Sequence, residues 1–102
     1  MEIINLDSNF EKLINSVDII TANKILWSID LLKELNYQLR MPYCKKIMMN
    51  LFELRICGKT EVRLFYLFHN QKIIIIYSFI KKTKKIPKHE LRKVLNKIKD
   101  LI

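Results

Sequence analysis

The sequence predicts an α+β fold: an N-terminal helical hairpin packed on a small antiparallel sheet of three to four strands, closed by a C-terminal helix. Three observations predict it. Apolar residues recur at helical spacing as far as Leu39, and again from Leu91 onward. Between these stretches lie three short runs rich in β-branched and aromatic residues: Leu51–Ile56, 62–68 and Lys72–Ile80. Pro42 separates the two regimes, because the residue before a proline is pushed toward extended geometry. One glycine and two prolines in 102 residues leave room only for short connections. A chain of this length builds one core, so residues 1–102 read as a single domain.

The elements follow in order. Ser8 with Glu11 three residues on has the spacing of a capping box, and Phe10, Leu13 and Ile14 share a face. This predicts a short helix over 8–16. A second helix spans 21–39, where Ile25, Ile29, Leu32, Leu35 and Leu39 form a stripe that Leu26 and Leu31 widen. Trp27 borders that stripe as a packing residue, and a bend near 17–20 makes the hairpin. Cys57-Gly58-Lys59 turns the first strand into the second. His69-Asn70-Gln71 makes the next hairpin, with Asn70 best able to accept positive φ. Runs 62–68 and 73–79 are apolar on both faces and so belong at the sheet's centre. Pro87 suits the first turn of the last helix, whose stripe is Leu91, Leu95, Ile98 and Ile102.

Charge is distributed unevenly. Residues 1–40 carry −2, residues 41–80 carry +4, and residues 81–102 carry +7 of the total +9. That asymmetry turns the C-terminal half toward a polyanion such as nucleic acid. The start MEIINLDSNF lacks the basic and apolar segments of a secretory leader. The longest apolar run, 73–77, is far below a membrane span. Two isolated cysteines, Cys44 and Cys57, suit a reducing, cytoplasmic setting and have no metal-ligand spacing.

Familiar catalytic signatures are absent: there is no glycine-rich phosphate loop, nucleophile elbow or zinc motif. His69 and His89 read as exposed and separate rather than as an acid–base pair. Arg55 and Arg63 are more informative, because each sits inside a strand among apolar neighbours. A guanidinium is costly to bury, so both are expected to emerge at an open sheet face. With Glu53, Lys81 and Lys82 at neighbouring strand ends, that face would offer several cations and one carboxylate. Cations stabilise the pentacovalent phosphorane of phosphodiester cleavage, and a carboxylate or a crowded lysine can take the 2′-hydroxyl proton. The competing reading pairs each arginine with Glu53 or Glu61 in ordinary ion pairs.

The segments TANKILWSIDLLKEL (21–35), PYCKKIMMNLFELRI (42–56), EVRLFYLF (61–68) and IIIIYSFIKKTKKIPKHEL (73–91) resemble the RelE/ParE toxin superfamily, and its HigB-like phage branch in particular. Asn50, Phe52 and Ile86 depart from that branch's glycine, tryptophan and threonine. The resemblance implies a RelE-like fold whose first strand is very short, within Glu2–Asn5, or missing. It implies the toxin of a type II toxin–antitoxin pair, a metal-independent, cofactor-free endoribonuclease that cuts mRNA on the ribosome and arrests translation. By position, Arg55 and Arg63 would hold the scissile phosphate. Lys81 and Lys82 would contact phosphate or assist proton transfer, and Glu53 is a candidate base. Lys45, Lys46, Lys84 and Lys85 would bind RNA, with Tyr77 and Phe79 stacking on bases. The expected partners are the ribosome, mRNA and a cognate antitoxin with a helix-turn-helix domain; no membrane is implied. The alternatives are a non-enzymatic ParE-like toxin that poisons DNA gyrase, and a basic module that binds RNA without cutting it.

Overall fold

The second helix begins where a carboxylate can satisfy one of its leading amides. In the computed structural model, which describes residues 1–101, α1 spans Phe10–Ser16 and α2 spans Ile19–Leu35. Asp18 caps α2, accepting from the Thr21 N–H at 3.1 Å and the Thr21 hydroxyl at 2.6 Å. The capping box expected at Ser8 does not form. Asp7 instead accepts from the Asn9 N–H at 3.1 Å, and α1 starts two residues later than Ser8. The second helix also ends early, because Asn36 adopts φ 53 and leads into a 3-10 turn at Asn36–Gln38. Its buried stripe is Thr21, Ile25, Ser28 and Leu32, while Leu26 and Trp27 stand about half exposed. Placing Leu26 in the stripe was therefore wrong by one helical face.

Five strands form one mixed sheet, in place of the expected three to four antiparallel strands, and the first falls within Glu2–Asn5, as the resemblance implies. They are β1 (Glu2–Asn5), β2 (Cys44–Met48), β3 (Leu51–Ile56), β4 (Val62–His69) and β5 (Lys72–Ile80), in the order β1-β5-β4-β3-β2. The other pairings are antiparallel, but β1 runs parallel to β5, Ile3 beside Ile73 and Ile4 beside Ile74. The N-terminus thus covers an edge that β5 would otherwise expose. At the other edge, β2 buries Cys44 but exposes Lys45 and Lys46. Edge strands tolerate such lysines, which hid β2 from a search for apolar runs. The β4–β5 turn is the two residues Asn70 and Gln71, at φ 50 and 59, as a tight hairpin requires.

The sheet has two unequal sides. Against α1 and α2 lie Leu54, Val62, Leu64, Tyr66, Ile73 and Ile75. The opposite side presents Leu51, Phe65, Leu67, Ile74, Ile76 and Phe79 to α3, Lys88–Leu101. A register shift opposite Phe65/Tyr66 puts Ile76 and Tyr77 on this same side although they are adjacent in sequence. The stripe of α3 centres on Val94, fully buried, with Leu91, Leu95 and Ile98 half-buried; Ile102 lies outside the described residues. Pro87 stands just before the helix, its carbonyl accepting from Glu90 and Leu91 N–H at 3.0 and 3.2 Å. A buried polar clasp ties the N-terminal loop to α3. Ser78 donates to Asp7, and Lys97 Nζ lies 3.6 Å from Asp7 Oδ1 and donates to the Ile76 carbonyl at 3.0 Å. Among the described residues, no helix is long and apolar enough to cross a membrane.

Gln71 holds a left-handed conformation that costs a non-glycine residue roughly 1 kcal/mol. Gln71→Gly is therefore expected to raise the urea midpoint by about that much stability, with an unchanged slope. An unchanged or lower midpoint would show that the hairpin is not strained there.

Candidate nucleic-acid interface

Arg55 and Arg63 lie directly opposite one another on β3 and β4, an arrangement that repels unless something neutralises it. Glu53 does so. Its Oε1 lies 3.6 Å from Arg55 Nε and 3.8 Å from Arg63 Nε. Glu61 adds a second anion, with Oε1 3.3 Å from Arg63 Nη2. The expectation that both arginines emerge at an open face holds only for Arg55, whose side chain is 26% exposed. Arg63 is buried at 2%. Burial is tolerable because Nη1 also donates to the Val62 carbonyl at 3.0 Å and, more weakly, to the Ile56 carbonyl. Glu53 Oε2 and both arginine Nε atoms have no hydrogen-bond partner within the chain.

These groups occupy the side of the sheet that α3 covers, but beyond the helix's reach. There the 81–86 loop overhangs β2 and β3 to make a cleft of about 250 Å³. Its walls bring five cations, Lys45, Arg55, Lys81, Lys84 and Lys85, round the single carboxylate of Glu53. Ile47 and Ile86 form its apolar sides, and neither is among the site residues expected from the sequence. Pairing explains the convergence: Lys45 sits opposite Glu53 in the β2–β3 register. The Lys81 N–H donates to the Glu61 carbonyl at 2.8 Å, which pins the loop's root beside β4.

The remaining expected site residues fall elsewhere. Lys46 is exposed on the alternate side of β2 from Lys45. Lys82 and Tyr77 line a different cleft, which borders α1. Phe79 is buried, its ring stacked 5.8 Å from Phe65, so it packs the core rather than offering a face to a base. Tyr77 lies under Lys97, whose Nζ is 5.1 Å from the ring centroid. Burial, and then the Glu90 carboxylate, push the Tyr77 phenol above its ordinary range, so it stays protonated at neutral pH. His69 flanks the β4–β5 hairpin and His89 lies in the first turn of α3; both are exposed. Among the described residues, no three His, Cys, Asp or Glu side chains gather into a metal-binding group.

Residues 12–99 match the family described as Phage derived protein Gp49-like (DUF891). The chain belongs to this family. The Gp49-like family in turn falls within the RelE/HigB-type toxin group. No curated protein matches the chain. The Gp49-like match takes in every residue of the cationic cleft, together with Arg63 and Glu61.

Glu61 gives the site an acid-sensitive support. The Gly58 N–H donates to its carboxylate at 2.9 Å and, with Arg63, holds it below the ordinary value of 4.5 despite opposing desolvation. A depressed carboxyl stabilises the fold above its unfolded pKa and loses that contribution as pH falls through the folded value. Wild type should therefore lose stability between about pH 5 and about pH 3 more steeply than Glu61→Gln. Parallel acid limbs in urea melts across that range would contradict this role.

Proposed function

We propose that this Gp49-like protein is the toxin of a type II toxin–antitoxin pair, and that it cuts mRNA on the ribosome as a metal-independent endonuclease. The observation that carries this reading is the cluster of five cations round one buried carboxylate at the open end of the sheet. Such a cleft suits a reaction in which negative charge builds on a phosphoryl centre. Arg55, the exposed member of the ion trio, reaches the scissile phosphate. Lys81, Lys84 and Lys85 hold flanking phosphates and make binding fall with salt. Glu53 Oε2, without a partner in the chain, takes the 2′-hydroxyl proton as the 2′-oxygen attacks phosphorus, and the Lys81 ammonium protonates the departing 5′-oxygen. The products are a 2′,3′-cyclic phosphate and a 5′-hydroxyl. Arg63 acts from beneath, fixing Glu53. Lys46 and Lys82 face outward and meet ribosomal RNA, in a cytoplasmic setting where a helix-turn-helix antitoxin neutralises the toxin.

Arg55→Ala should keep the fold, because Glu53 retains Arg63, and should lower cleavage by about a hundredfold or more. Mapping new RNA 5′ ends genome-wide after induction, beside a DNA-damage reporter, checks this. In-frame cuts within translated messages in wild type, lost in Arg55→Ala, are the expected result. DNA damage without message cuts would instead place the protein with toxins that poison gyrase.

A further inference from the structure

Arg55 has a second neighbourhood. Away from the cationic cleft it forms one wall of another cleft, of about 290 Å³, with Trp27 and Lys24 from α2, Pro42 and Tyr43 from the turn before β2, and Cys57. Trp27 is 54% and Tyr43 43% exposed, and their rings meet edge to face with centroids 5.9 Å apart at 64°. The arrangement is braced from behind. The Arg55 N–H donates to the Tyr43 carbonyl at 2.8 Å, and the Tyr43 N–H donates to the Arg40 carbonyl at 3.0 Å. Lys24 Nζ donates to the Cys57 carbonyl at 3.2 Å, crossing the turn at Gly58, where a Cβ would lie 2.9 Å from that nitrogen.

We infer that this cleft is a nucleobase subsite: Trp27 and Tyr43 stack a base of single-stranded RNA whose phosphate lies against Arg55. The inference rests on the RNA-cleaving reading of the neighbouring cleft and deepens it. Three observations carry it. The cleft is lined by two cations and two aromatic rings and by no carboxylate, the lining that single-stranded nucleic acid takes. One residue, Arg55, borders both clefts, so a strand with its phosphate on Arg55 can place the adjoining base here. And the aromatics nearest the other rim are already engaged, Phe79 on Phe65 and Tyr77 under Lys97. Stacking is tolerant of base identity, so the subsite adds affinity and positions the strand without reading a sequence.

Trp27 is the chain's sole tryptophan, so its emission reports the subsite directly. The probes are a short single-stranded oligoribonucleotide, blocked against cleavage by 2′-O-methyl groups, and an abasic strand of equal length. At low salt the base-bearing strand should quench Trp27 saturably, whereas the abasic strand should bind by anisotropy without quenching. Tyr43→Ala should weaken the base-bearing strand about tenfold and the abasic strand little. Trp27→Ala, checked for fold by circular dichroism, should show the same loss by anisotropy, with Trp27→Phe restoring most of it. Binding with Trp27 emission unmoved, or Trp27→Ala binding as tightly as wild type, overturns the subsite and leaves the cleavage reading untouched. If Trp27→Ala binds RNA normally and loses only neutralisation by the antitoxin, the patch is a protein-docking surface and the inference is wrong. Absence of any strand binding also overturns it, while the cleavage reading stands or falls separately on the mapped message ends.

Discussion

A guanidinium buried at the middle of a sheet must have an anion within reach, and the interface described above is built on that requirement. Arg63 lies on β4 with almost no exposure, so Glu53 and Glu61 are committed to it. Glu53 then also meets Arg55, because the β3–β4 register sets the two arginines opposite each other. One buried carboxylate therefore fixes one arginine beneath the surface and orients another at its edge. Replacing either buried partner leaves the other charged and desolvated, so the trio is costly to break even though each contact is longer than a good hydrogen bond.

Around this trio the sheet divides its labour. One face is sealed by α1 and α2 and carries the larger core. The other is only partly covered, because α3 crosses the β5 half and leaves the Lys45–Glu53–Arg55 end bare. The clasp of Asp7, Ser78 and Lys97 anchors the N-terminal loop to α3. Charge follows the same division. The α1–α2 half is mildly acidic, while the 81–86 loop projects lysines over the open end.

Much of this was legible in the sequence, and the failures have physical causes. The three long strands, the two-residue turn at Asn70 and the last helix were readable because periodicity and turn chemistry act locally. Strands β1 and β2 were harder: four residues at the N-terminus and a lysine-bearing edge give little period-2 signal, and their pairing depends on the rest of the sheet. Lys45, Glu53, Arg55, Lys81, Lys84 and Lys85 do come together, although no local spacing dictates it. The sequence could not separate buried Arg63 from partly exposed Arg55, since both stand among apolar neighbours. Phe79 looked available for stacking because the register shift in β5, which governs its partners, leaves no local mark. Trp27 and Tyr43 are 16 positions apart and become neighbours only through the fold.

The most direct test of the account is a double-mutant cycle on the buried pair, with Glu53→Gln, Arg63→Met and the double variant compared by urea unfolding. Each single change leaves one charge buried with less compensation, so each should cost more than its lost contact alone. The double variant should be less destabilised than the sum of the two, by a coupling of about 1–3 kcal/mol. Costs that add to within about 0.5 kcal/mol would show that Glu53 and Arg63 do not depend on each other. The buried pair would then not be what sets Arg55 at the mouth of the cleft.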